Sequence, residues 1–188
     1  MVTGASDDLH GLVVRAQAGE PAAMDELLRR VRPHVFRYVL ARLVDRSSAE
    51  DVTQEVAVTV ISALPRYQDL GRPVLAWVFG IAMRKVSEAH RSLGRRPEWP
   101  ADELPDRSTD DVTGPEALVL QSDTARRVSE LLATLPHPQG EIVRLRVAAG
   151  LTAEETAAVL GMTAGAVRVA QHRALTRLRT IAVSEVSR

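Results

Sequence analysis

Apolar residues return every three or four positions along most of this chain, the period of helices that bury one face. Over residues 21–43 the apolar positions are Met24, Leu27, Leu28, Val31, Val35, Val39 and Leu43, with arginines on the other side. This pattern predicts one amphipathic helix, bent near Pro33. Residues 47–64 carry Val52, Val56, Val60, Ile61 and Leu64 as a single stripe, opened by the capping-box spacing Ser47-x-x-Glu50 and stopped by Pro65. A third stripe, Leu75, Val78, Phe79, Ala82, Val86 and Ala89, predicts a helix over residues 75–92. Its other side displays Arg84, Lys85, Glu88 and Arg91.

Residues 153–172, AEETAAVLGMTAGAVRVAQH, have a different character. Ala157 is small enough to let a second helix approach the first, and Gly161 stands where a helix ends in a left-handed residue. Leu160, Met162, Val167 and Ala170 supply the shared seam. Thr163, Gly165, Arg168, Val169 and His172 then point outward from the second helix, as a recognition helix in a DNA major groove requires. The pattern predicts a helix-turn-helix; an ordinary helical hairpin in an all-α core has the same seam.

Between these helical stretches the period disappears. Residues 94–117, GRRPEWPADELPDRSTDDVTGPEA, hold four prolines, two glycines, three basic and seven acidic residues. They predict an extended, flexible acidic linker, since structureless loops above ~15 residues are uncommon inside a compact domain. The fold expected is therefore all-α, with two small helical domains over residues 16–93 and 118–184. Basic and acidic residues balance at 24 each, so the chain is not built to coat nucleic acid non-specifically.

Catalytic constellations are poor. His10, His34, His90, His137 and His172 lack metal-ligand spacing, no glycine-rich phosphate loop follows a strand pattern, and cysteine is absent. The carboxylates Glu50, Asp51 and Glu55 fall with Gln54 on a helix face where nothing desolvates them, and a solvated surface is the ordinary fate of such a face. Neither an enzyme, a metal site nor a cofactor is expected. No apolar run approaches membrane-spanning length and the first residues lack a basic region ahead of an apolar core, so the expected location is cytoplasmic.

Two segments in this order resemble the bacterial sigma factors, specifically the compact two-domain extracytoplasmic-function (ECF) group of the sigma-70 family. AEDVTQEVAVTVISALPRY resembles the segment that docks on the coiled coil of the RNA polymerase β′ subunit, and LAWVFGIAMRKVSEAHR the region that reads and helps melt the −10 element. LLATLPHPQGEIVRLRVAAGLTAEETAAVLGMTAGAVRVAQHRALTRLR resembles the domain that reads the −35 element. The resemblance implies promoter-specific initiation with core polymerase (β′ and β), and an anti-sigma factor as a further partner. Glu50, Asp51, Gln54 and Glu55 become the core-binding face. Arg66, Tyr67, Arg72, Arg84, Lys85, Glu88, His90 and Arg91 become the −10 residues, with Tyr67 in a loop that captures a flipped base. Thr163, Gly165, Arg168, Val169, His172, Arg173 and Arg177 become the −35 residues. The acidic linker is similar to the connector that threads the polymerase's RNA channel.

The chain departs from the family pattern at Met83-Arg84, where an Arg-Asn pair is usual, at Glu88, where an aspartate is, and at Val169-Ala170, where Ser-Arg is common. These positions point to its own base preferences. A stand-alone helix-turn-helix regulator would bind an operator without polymerase, but the first module shows neither an alternating βα receiver pattern nor a ligand-pocket signature. A purely structural helical protein would bind no DNA at all.

Overall fold

The computed structural model describes residues 4–43, 45–92 and 126–186; the acidic segment 94–117 lies outside them. Every regular element among the described residues is helical. The first unit contains α1 (Gly4–Gln17), α2 (Pro21–Leu43), α3 (Arg46–Ala63), a 3-10 turn (Leu64–Arg66) and α4 (Val74–Ser92). The second contains α5 (residues 126–133), α6 (His137–Val143), a π-helical turn (Arg144–Ala148), α7 (Ala153–Leu160) and α8 (Ala164–Val186).

The apolar stripes become the core much as their spacing requires. Leu27, Val31, Val35 and Val39 of α2, Val52, Val56 and Val60 of α3, and Val78, Phe79, Ala82 and Val86 of α4 are buried together. Tyr38 meets Phe79 edge-on at 5.4 Å between ring centroids, an arrangement that ties α2 to α4. The helix α2 continues through Pro33.

Two details of α3 correct the sequence reading. Its N-cap is Asp45, whose carboxylate accepts from the Ser48 backbone N–H at 2.7 Å, and not Ser47. An aspartate is an equally good cap and starts the helix earlier. Ile61 is exposed at 44%, because it lies one residue beyond buried Val60 and the stripe turns away from it.

The helix α1 adds Leu9, Leu12 and Val13 to the same core and packs against α2 and α4. At its end Gln17 donates to the carbonyls of Leu64 (2.9 Å) and Tyr67 (2.8 Å). These bonds fix the start of the loop that leads to α4. Further along that loop, His10 lies 3.3 Å from Asp69, whose carboxylate accepts from the Gly71 N–H. Gly71 has a φ of +71°, a turn conformation that glycine adopts without strain.

In the second unit, α7 and α8 share a small core of Ile142, Ala153, Ala157 and Val167, covered by Leu160, Met162 and Ala170. Thr152 caps α7 in a reciprocal box with Glu155, and Gly161 ends it at φ +66°, the left-handed residue expected there. Leu132, Leu135, Val143 and Ala174 form a second small cluster behind α8. The two units are not separate bodies: Leu145, Ala149 and Leu151 join the core of the first. The helix α7 lies against α4, and the π-turn against α2.

Candidate nucleic-acid interface

Three exposed regions carry the residues singled out in the sequence. On α3, Glu50, Asp51, Gln54 and Glu55 are all exposed, on the side away from Val52, Val56 and Val60. Glu50 accepts from Arg46 Nε at 3.0 Å, and Glu55 meets Lys85 Nζ at 3.1 Å. Beside this face, an apolar groove of about 320 Å³ between α2 and α3 is lined by Leu28, Val31, Val35, Val56 and Val60.

The second region is α4 with the loop before it. Arg66, Arg72, Arg84 and Arg91 are exposed, with Arg84 Nε 3.1 Å from Glu88. Lys85 is no free cation: its ammonium sits between Glu55 and Glu88, both at 3.1 Å. Hydrogen bonds to these two carboxylates raise the Lys85 pKa, and the bond to Lys85 is the first cause that lowers that of Glu88. The lysine thereby links the acidic face of α3 to the polar side of α4. His90, expected near base edges beside Glu88, is instead buried at 8% exposure, so it does not share the open side of Arg84 and Arg91. It stands six residues, nearly two turns, beyond Arg84, and the 3.6-residue period carries it toward the Val86 side of the helix.

Tyr67, read as a loop aromatic, is half-buried and packs on Trp77 of α4, ring centroids 4.6 Å apart and tilted by 44°. Trp77 was not among the sequence candidates. It falls beside the apolar stripe of α4, so periodicity alone places it with the core. The two rings form a platform under a loop whose Leu70 is 78% exposed.

The third region is α8. Thr163, Gly165, Arg168, Val169, His172, Arg173 and Arg177 are all exposed, while Val167 and Ala174 face inward. The Thr163 hydroxyl accepts from the Ala166 N–H at 3.2 Å and so caps α8 as well as facing outward. Arg168 donates to Glu154, in the first turn of α7. The Glu154 carboxyl is held below its ordinary range, first by a backbone N–H at the start of α7 and then by Arg168. Arg146 braces the other flank, donating to Gln171 Oε1 at 2.9 Å and to the Leu151 carbonyl. Neither Glu154 nor Arg146 was singled out in the sequence, since their partners lie 14 and 25 residues away.

An exposed arginine-bearing helix behind a capped, glycine-ended turn defines a helix-turn-helix reader, here joined to a four-helix unit with its own acidic face. Residues 27–96 match the family model Sigma-70 region 2, and residues 131–180 match Sigma-70, region 4. SigD, an ECF RNA polymerase sigma factor of Mycobacterium tuberculosis, is 51% identical over 182 residues, 95% of this chain and 85% of that protein. The ECF sigma factor ShbA of Streptomyces griseus is 50% identical over 179 residues, 91% of this chain and 93% of that protein. The chain belongs to the ECF RNA polymerase sigma factors, and it is a factor of transcription initiation. Its fold is similar to that of CnrH in complex with the cytosolic domain of CnrY, with a TM-score of 0.69 and 25% identity over 92% of this chain and 96% of that one. Among the described residues no helix is long and apolar enough to cross a membrane.

Proposed function

We propose that this factor docks on the β′ coiled coil of core polymerase through Glu50, Asp51, Gln54 and Glu55, reads the −10 element with α4 and the loop before it, and reads the −35 element with α8. The observation that carries this reading is the common exposure of Arg168, Val169, His172, Arg173 and Arg177 on one side of α8. Arg168 suits a bidentate contact to guanine, Val169 a thymine methyl, and the later arginines suit phosphates. The acidic face of α3 complements basic side chains of the polymerase by charge-assisted hydrogen bonds. Run-off transcription with purified core polymerase on a genomic promoter library tests the whole; absence of any promoter-dependent product would overturn it.

The −10 reading supports a finer expectation. Tyr67 and Trp77 offer stacked π-faces under an exposed loop, and stacking an unpaired base on an aromatic ring is worth about 1–3 kcal/mol. Tyr67→Ala is expected to lower open-complex formation roughly tenfold, read by permanganate reactivity of unpaired thymines, while Tyr67→Phe keeps the ring and the activity. Equal open-complex formation by Tyr67→Ala and the parent chain would remove Tyr67 from this role.

Glu154 is proposed to aim Arg168. An exposed ion pair contributes little to stability. Glu154→Ala is therefore expected to leave the melting temperature nearly unchanged and to reduce the preference for guanine at the Arg168 base by roughly two- to fivefold, against ~5- to 150-fold for loss of the arginine itself. Competition binding with single-base variants of the −35 duplex gives the ratio. An unchanged preference would show that Arg168 is positioned by the DNA alone.

A protein partner of the anti-sigma kind is proposed for the outer surfaces, where the apolar groove between α2 and α3 adjoins the polymerase-docking face. CnrH, of similar fold, is seen in complex with the cytosolic domain of CnrY. The site of action is the cytoplasm, where polymerase and promoter lie.

A further inference from the structure

Tyr67 is held by its backbone as well as by its ring. Leu64, buried in the core, anchors the 3-10 turn from which Tyr67 departs in an extended conformation. The Tyr67 N–H bonds back to the Leu64 carbonyl at 3.0 Å. Gln17, the last residue of α1, donates from Nε2 to that same carbonyl at 2.9 Å and to the Tyr67 carbonyl at 2.8 Å. The planar peptide groups on both sides of Tyr67 are thereby fixed, and with them the direction in which its side chain leaves the chain.

The tie suits an amide. A primary amide nitrogen carries two N–H donors, and here each goes to a different carbonyl. Gln17 is exposed, so water competes for the same groups and the two bonds add little to global stability. Their effect is to select one conformation for the loop over residues 67–73.

The same helix reaches the far half of that loop. His10 stands seven residues, about two turns, before Gln17 and so on the same side of α1. Its Nδ1 lies 3.3 Å from Asp69, which accepts from the Gly71 N–H at 2.8 Å. The helix lies against the 3-10 turn and α4, while Leu9, Leu12 and Val13 seat it in the core. It precedes the segment that matches Sigma-70 region 2, which begins at residue 27.

A braced loop matters for capture of an unpaired base. Stacking returns its full gain only where the ring already stands in place; a loop that is ordered at the moment of capture loses part of that gain as conformational entropy.

We propose that α1 splints the loop over residues 67–73, and that Gln17 is a positioning residue for strand separation, presetting Tyr67 for the unpaired base of the −10 element. The proposal rests on the reading of Tyr67 given above. Gln17 acts without touching the DNA. Its loss lowers the fraction of loops ready for capture, and open-complex formation falls with that fraction.

Gln17→Met keeps the length and shape of the side chain and removes both donors, whereas Gln17→Lys restores a donor at similar reach. In holoenzyme assembled from the full chain and core polymerase, Gln17→Met is expected to lower open-complex formation about threefold to tenfold, read by permanganate reactivity of unpaired thymines. Gln17→Lys should recover most of it. Melting temperature, affinity for core polymerase and binding of an isolated −35 duplex should stay at parent values in both variants, which a general loss of folding would not allow. A variant combining Gln17→Met with Tyr67→Ala tests the route of the effect. If Gln17 acts through Tyr67, its replacement costs nothing further once the ring is gone.

Parent-like open complexes with Gln17→Met, beside a defect in Tyr67→Ala, overturn the splint. Losses that multiply in the combined variant do the same, as does a Gln17→Lys variant no better than Gln17→Met. Failure of the underlying reading shows separately, as parent-like open-complex formation by Tyr67→Ala itself.

Discussion

Replacing Arg168 by alanine is expected to weaken binding to the −35 duplex by about 1–3 kcal/mol, roughly 5- to 150-fold, with the loss confined to one base position. Arg168 is exposed on α8 and its guanidinium is already engaged from one side by Glu154, which leaves a donor edge for a base. A guanidinium matches the two acceptors of guanine in the major groove, and no other base offers that pair. Fluorescence anisotropy with the parent −35 duplex and its single-base variants checks this. The variant protein should bind the parent duplex and the duplex altered at that position equally. Arg173→Ala and Arg177→Ala provide the contrast. Their removal is expected to weaken all duplexes alike and to lower the salt dependence by about one counterion each. If Arg168→Ala behaves as they do, Arg168 is a phosphate contact and base preference lies with Val169 and His172.

That contrast bears on the neutral composition. With 24 basic and 24 acidic residues the chain has no general affinity for DNA to draw on. On α4 and α8 several of its cations are engaged by carboxylates of the same chain: Arg84 and Lys85 by Glu88, and Arg168 by Glu154. Such pairs hold side chains in place and reduce attraction to arbitrary phosphates. A factor delivered to the promoter by polymerase needs orientation from its cations more than raw charge.

The helix-turn-helix was legible because its constraints are local. Gly161 needs a left-handed residue at a fixed place, and Val167 and Ala170 stand at helical spacing from it. The stripes of α2, α3 and α4 were legible for the same reason. Local reasoning misplaced the start of α3, where Asp45 and Ser47 are both acceptable caps and only the backbone decides between them. It also passed over α1, whose Leu9, Leu12 and Val13 make a stripe too short to stand out, although Gln17 then anchors the loop bearing Tyr67. The contact between the units was out of reach. Glu141 of α6 is buried and accepts from Tyr38 and Arg42, 103 and 99 residues away, and a glutamate on a short helix is ordinarily solvated. Its burial is a property of two surfaces meeting, and neither surface announces the other.

Reversing Asp51 to lysine is expected to weaken association with core polymerase by about 2–5 kcal/mol, a loss of roughly thirtyfold or more, because a desolvated interfacial charge then faces its own sign. Asp51 should exceed its neighbours for a structural reason. Glu50 is partly neutralised by Arg46, and Glu55 by Lys85, so each already has a cation to give up before it can pair with a partner. Asp51 lies between them on the exposed side of α3 with no such ion pair among the described residues. Its substitution leaves the Val52 and Val56 side of the helix untouched, so stability should stay within about 0.5 kcal/mol of the parent. Competition for core polymerase against a labelled parent chain measures the effect, and thermal unfolding verifies the fold. Glu50→Ala should produce a smaller loss, and Glu55→Ala should combine a docking defect with release of Lys85 toward Glu88. Parent-like competition by Asp51→Lys would move the docking surface off this face of α3, toward the apolar groove that α3 shares with α2. A salt series separates the two cases, since docking through carboxylates weakens as ionic strength rises whereas docking in the apolar groove does not.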